Sequence, residues 1–288
     1  MKAFLCIHGF GHHPGGRRPG FSESLRRGVE ARLGAPAVWK EVLWDGLLGS
    51  PDSFGTMDLM LQTPALVRAF YEGREGDAVR ARVAEAVRAA SAEAGGAPVV
   101  LVGHSFGAAI AYETLARGLA PEAKSLVMLA PPMGLFDDPG PFAAKVADAK
   151  APGLGLLVGA LAPVAEAMAD FPEVNGGRLP DGVAALSLRS PDDWFAAPLG
   201  PTFPDVSERE VLPPPGTRGG ANHRFYWSSP AVAESVAAAA VAAASRAGEP
   251  PATAEEFELL SRAVEDSLWS AGEEVVEHED GTIEVTVS

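Results

Sequence analysis

The chain has 288 residues, 47% hydrophobic and 21% charged, the proportions of a soluble globular protein long enough to bury one large core. Its 23 Lys and Arg against 38 Asp and Glu leave a formal net charge of −15, which disfavours nucleic acid or an anionic membrane as partner. The single cysteine, Cys6, excludes an intramolecular disulfide, and no charge-free apolar run reaches the roughly 20 residues of a membrane span.

Residues 3–9 (AFLCIHG) form a near-continuous apolar run, the pattern of a strand buried on both faces. Cys6 lies inside it and reads as a buried structural thiol. The chain enters this strand without the basic region and apolar run of a secretory leader, so a cytoplasmic protein is the default expectation. The run ends in His8-Gly9-Phe10-Gly11, followed by the low-bulk loop His12-His13-Pro14-Gly15-Gly16. A first helix is predicted over 21–33, with Ser22 as N-cap and Gly34 after its end, and a second strand over 37–44. Residues 45–76 are irregular, with a short helical piece around 63–71. Asp77 can cap a helix over 77–94, in which Val79, Val83 and Val87 share a face and Gly95-Gly96 stop the turn.

Residues 98–116, PVVLVGHSFGAAIAYETLA, carry the chemistry. A β-branched strand, Val99 to Val102, turns through Gly103-His104-Ser105-Phe106-Gly107 into a small-residue helix. The G-x-S-x-G pattern is weak by itself, but this flanking order is what a nucleophile elbow requires. The serine must sit on a strained turn, so the residues two positions either side must lack bulk where the chains cross. The turn also sets Ser105 at a helix N-terminus, which favours developing negative charge.

A further strand is predicted over 125–130, and strand and helix alternate up to it. This predicts an α/β fold: a mostly parallel central sheet with helices on both faces and its site at the carboxyl ends of the strands, where His8-Gly9 and Ser105 fall. Residues 132–182 interrupt the rhythm, with an apolar helical stretch at 154–168, and read either as a small lid insertion or as a crossover with a long loop. Strands resume at 183–188 and, weakly, at 207–212. Ser229-Pro230 opens a helix over 231–247. Residues 1–247 then form the core, and 248–288 an appended helix and hairpin. Thr253-x-x-Glu256 is a capping box, and residues 274–287 alternate about Asp280-Gly281.

A serine hydroxyl needs a base, and the base an orienting acid. In this architecture their order is Ser, acid, His. Only His223 and His278 follow Ser105. His278 lies in an acidic hairpin and reads as a solvated strand residue, leaving His223, in the Gly-rich loop before the last core helix. The acid is expected after the 183–188 strand, at Asp192 or Asp193; Asp137 and Asp138 follow the preceding strand and are the weaker candidates. The oxyanion hole needs two amides, assigned to Phe106 after the nucleophile and Phe10 after the first strand. His8 reads as a structural residue. His12-His13 lacks Cys or carboxylate at ligand spacing, so no metal site is expected.

HGFG, GHSFG, the Asp pair and NHRFYWSSPAVAESV together resemble the α/β-hydrolase superfamily, and more narrowly its bacterial lipase/esterase-like members. The resemblance spans about residues 1–247. It implies a Ser-His-Asp triad, no cofactor, a small-molecule acyl ester as substrate and the α/β-hydrolase fold. Laid on the family's usual acid turn, Ser190-Pro191-Asp192-Asp193-Trp194 favours Asp193, with Asp192 as fallback. The same parts serve an acyltransferase or a thioesterase, and the fold also carries non-catalytic interaction modules.

Overall fold

A computed structural model of the chain describes residues 1–10, 19–48, 65–134, 178–193, 195–217, 221–248, 253–265, 273–277 and 283–287. The apolar runs of the sequence pair into a six-stranded sheet: β1 (Ala3–Ile7), β2 (Val38–Val42), β3 (Val99–His104), β4 (Ala123–Leu129), β5 (Ala184–Arg189) and β6 (Val206–Glu210). Their spatial order is β2-β1-β3-β4-β5-β6, and every neighbouring pair is parallel.

Helices cover both faces, which is why the inner strands are apolar at successive positions rather than alternate ones. In β1, Leu5 and Ile7 enter one layer while Phe4 and Cys6 enter the other, and all four are buried. The first layer closes on α2 (Arg74–Glu93), through Val79, Val83 and Val87, and on α3 (Phe106–Ala116). The second closes on α1 (Glu23–Leu33), through Leu25, Val29 and Leu33, and on α4 (Pro230–Arg246). α1 and α4 approach so closely that a Cβ added at Gly28 would lie 2.9 Å from the Cβ of Ala233. The alanines of α4 suit that packing.

Ser229 caps α4, its Oγ accepting from the Val232 amide at 3.4 Å, with Pro230 in the first turn. Thr253 Oγ1 accepts from the Glu256 amide at 3.1 Å and opens α5 (Ala254–Glu265). Glu256 stands 3.5 Å from Lys2 Nζ, while Leu259 and Leu260 are buried in the α1–α4 layer. β7 (Glu273–Glu277) and β8 (Ile283–Val287) pair antiparallel. Among the described residues no helix is long and apolar enough to cross a membrane, and no three His, Cys, Asp or Glu side chains converge as metal ligands would.

Two helix starts differ from expectation. Ser22 precedes α1 but makes no side-chain cap bond. Its hydroxyl instead donates to Glu41 Oε1 at 2.5 Å and accepts from Trp39 Nε1 at 2.8 Å, and Glu41 takes the Ser22 amide at 2.8 Å. Glu41 thus ties the residue before the helix to β2. Asp77 does not cap α2, which begins at Arg74; it lies within the acidic first turn and accepts from Arg80 at 2.7 Å. The Arg80 guanidinium, 2% exposed, also donates to the Phe70 carbonyl at 3.1 Å and lies over the Phe70 ring, fixing the helical turns at 65–72 against α2. The body of the 132–182 insertion (135–177, with its helical stretch and Asp137 and Asp138), the His12-His13 pair, Trp194, His278 and the Asp280-Gly281 turn lie outside the described residues.

Candidate active site

β3 ends at His104 and α3 begins at Phe106, so Ser105 alone makes the turn between them. Its backbone sits at φ 53°, ψ −128°, a region that residues with a Cβ avoid. Bonds on both sides hold it there. The Ser105 amide donates to the Leu129 carbonyl at the end of β4 at 2.8 Å, and the Ser105 carbonyl accepts from the Ala108 amide at 2.9 Å. The flanking glycines provide space. A Cβ on Gly103 would lie 2.5 Å from Ala108 Cα, and one on Gly107 would lie 2.4 Å from the Ile7 carbonyl oxygen. Between residues 99 and 115, only Ser105 is not fully buried.

The loop after β1 lies directly against this turn. An added Cβ on Gly9 would stand 2.5 Å from Ser105 Cβ and 3.0 Å from its Oγ. His8 holds the loop through its ring, with Nδ1 donating to the Gly9 carbonyl at 2.7 Å and the ring stacked on Trp44 at 5.3 Å. Trp44 Nε1 in turn donates to the His8 carbonyl at 2.7 Å. Phe10 stacks on Phe106 with centroids 4.3 Å apart. The two residues whose amides are the oxyanion candidates are therefore packed ring on ring beside Ser105.

After β5, the turn at 190–193 buries Asp193 (1% exposed) and leaves Asp192 exposed. The carboxylate of Asp193 faces His223, whose Nδ1 lies 2.9 Å from Oδ2 and 3.1 Å from Oδ1. A carboxylate oxygen only accepts, so Nδ1 carries a proton, and in the neutral imidazole the lone pair is then on Nε2. Two further donors offset the burial of that carboxylate: the Tyr226 hydroxyl at 3.1 Å to Oδ2 and the Phe195 amide at 3.0 Å to Oδ1. Tyr226 also accepts from the Ser190 amide at 2.8 Å. Burial, and then the adjacent Asp193, push its hydroxyl pKa well above the usual range, so it stays a donor. Asn222 Nδ2 donates to the Asp192 carbonyl at 3.2 Å, tying the histidine loop to the acid turn. A parallel sheet with helices on both faces, a strand–turn–helix elbow at Ser105 and a His223–Asp193 contact beyond the strand ends are the arrangement the resemblance to the α/β-hydrolases implies.

No protein-family model and no curated protein matches the chain. Among solved structures, it is similar to a lipase-esterase related protein from Clostridium acetobutylicum at 11% identity and TM-score 0.39, over 81% of this chain and 92% of that one. It is similar to the pyrethroid hydrolase PytH at 19% identity and TM-score 0.37, over 82% and 96%. A loop variant of the haloalkane dehalogenase DbeA from Bradyrhizobium elkanii aligns at 15% identity and TM-score 0.42, over 85% and 91%. None of these assigns a reaction or a substrate to this chain.

Three residues of the site escaped the sequence reading. Tyr226 follows His223 by three positions, so a single tight helical turn puts both on one side, and that spacing was a usable signal. Trp44 and His104 have no comparable local signal. His104 Nε2 lies 2.6 Å from the His223 carbonyl oxygen, across 119 residues of chain.

Proposed function

We propose that the protein is a serine hydrolase that cleaves carboxylic esters through an acyl-enzyme intermediate. Ser105 Oγ attacks the acyl carbonyl carbon while His223 Nε2 takes the hydroxyl proton. Asp193 keeps the imidazole in its Nδ1–H tautomer and stabilises the imidazolium. The amides of Phe106 and Phe10 hold the oxyanion; Phe106 opens α3, where the first N–H groups have no acceptor within the helix. Collapse breaks the acyl C–O bond, and the leaving alkoxide departs with the proton from His223. Water, deprotonated by His223, then attacks the acyl carbon, and Ser105 recovers a proton as the acid leaves.

One observation carries this reading: a buried Asp193 bonded to the half-buried His223, with Nδ1 turned to the carboxylate, in a fold that sets the partly exposed Ser105 at a strand end. Part-exposed Phe10 and Phe195, the latter 5.1 Å from the His223 ring, suit an ester with apolar groups. The enzyme is assigned to the cytoplasm, with residues 1–247 as the catalytic core and 248–288 as an extension of it. A fluorophosphonate probe tests the reading. Wild type is expected to be labelled and Ser105→Ala is not; no labelling of wild type sinks it. p-Nitrophenyl esters of increasing acyl length would then define the pocket.

A further inference from the structure

We propose that His104 is a positioning residue that fixes His223 relative to Ser105; the inference rests on the serine-hydrolase reading above. His104 is the last residue of β3 and is peptide-bonded to Ser105, paired to Leu129 in the sheet. Its ring is 5% exposed and packs against those of His223, at 4.8 Å, and Trp227, at 5.4 Å. At 2.6 Å from the His223 carbonyl oxygen, which only accepts, Nε2 carries the proton and donates it.

The geometry explains why such a bond is needed. Asp193 grips His223 at Nδ1 alone, and a ring held at one atom can still swing its Nε2 through an arc. Asn222 ties the same loop to the Asp192 carbonyl, which fixes it towards the acid but not towards the nucleophile. The bond from His104 supplies that second fix. It anchors the main chain of His223 to the residue adjoining Ser105, so the arc of Nε2 is set from the elbow as well as from the acid turn. The elbow is a rigid reference, because its own strain is held by the Leu129 and Ala108 bonds and by the close approach of Gly9.

The test compares His104→Leu, His104→Gln and His104→Asn by the rate of fluorophosphonate labelling of Ser105, by kcat and KM on p-nitrophenyl acetate, and by Tm. Leucine removes the donor, glutamine carries an amide N–H at a similar reach, and asparagine is one methylene too short. Labelling and kcat are expected to fall about 10- to 100-fold in His104→Leu with KM nearly unchanged, as for a misplaced catalytic group. His104→Gln is expected to recover most of the loss, and His104→Asn is not. Labelling of His104→Leu within about threefold of wild type overturns the inference, as does a loss expressed in KM alone. If the leucine variant does not fold, the Gln–Asn pair decides: equal rates in the two overturn it. Absence of labelling in wild type overturns instead the serine-hydrolase reading beneath it.

Discussion

Replacing Gly9 by alanine puts a methyl group where the Ser105 side chain already sits. The added Cβ would lie 2.5 Å from Ser105 Cβ, 2.8 Å from the His104 carbonyl oxygen and 3.0 Å from Ser105 Oγ, whereas ordinary contact begins at 3.4 Å. Loop and elbow must therefore part by about 0.9 Å at the closest pair, a separation at which contact on both sides is restored. The elbow is the less free to move. Its amide is bonded to β4, and Gly107 leaves no slack against the carbonyls of Ile7 and His8. The displacement falls on the loop after β1 and carries the Phe10 amide away from Ser105, where the proposed mechanism needs it. Overpacking of this kind costs about 1–3 kcal/mol, a loss of ~2–10 °C in Tm for a domain of this size. A shift near 1 Å at a reacting centre costs about 100-fold in rate. The measurement is the labelling rate of Ser105 beside a calorimetric Tm, with Gly46→Ala as control, since a Cβ there meets nothing within 4 Å. A Gly9→Ala protein labelled at nearly the wild-type rate with an unchanged Tm refutes the claim that this contact sets the site.

Asp193→Asn is expected to lower kcat by about four orders of magnitude, and Asp192→Asn by less than about twofold, because only the former carboxylate faces the histidine; the reverse pattern in steady-state kinetics reassigns the acid. Tyr226→Phe removes one donor to Asp193 and the acceptor of the Ser190 amide, both buried, and is expected to cost about 1–3 kcal/mol in urea unfolding with KM little changed. At alkaline pH, burial raises the pKa of Tyr71, Tyr112 and Tyr226, and that of the Cys6 thiol. The folded chain then keeps protons that the unfolded chain releases from about pH 8.5 for the thiol and about pH 10 for the phenols. Stability contributed by these groups is complete below those values and falls as pH rises through them; unfolding free energies that stay flat across this window contradict the burial.

Local order in the scaffold was legible where local chemistry determines it. The AFLCI, VVLV and SLVML runs can be buried on both faces only in a parallel sheet, and the 4-residue spacing of Val79, Val83 and Val87 can face only one layer. The Thr253 box needs nothing beyond three residues of its own turn. What failed to show was whatever depends on a partner far along the chain. Glu41 displaces the expected Ser22 cap from 19 residues away, and no pattern within α1 announces it. The choice between Asp192 and Asp193 turns on which of two adjacent side chains a turn buries; the two residues themselves carry no sign of that, and only the resemblance to the family's acid turn favours Asp193. His104 sits at the tolerant second position of G-x-S-x-G, so its identity becomes informative only when the His223 carbonyl is seen to meet it.

Under the proposed mechanism, the sheet also explains why a third side chain stands between Asp193 and Ser105. Neighbouring strands lie about 4.8 Å apart, so β3 and β5, with β4 between them, present their ends about 10 Å apart. A hydrogen bond of roughly 2.7–2.8 Å between serine and carboxylate cannot cross that gap, whereas an imidazole bonded at both nitrogens covers most of it. The gap stays open only if β4 does not grow into it. β4 ends at Leu129, whose carbonyl is taken by the Ser105 amide, and the next residue, Ala130, turns at φ 50° with its amide on the Leu188 carbonyl at 2.9 Å. Ser105 and Ala130 are the described non-glycine residues with positive φ, and they stand at the ends of adjacent strands. Strain at the first presents the hydroxyl. Strain at the second ends the strand that would otherwise run between that hydroxyl and Asp193, and both are held by main-chain bonds that a side-chain substitution at the site leaves in place.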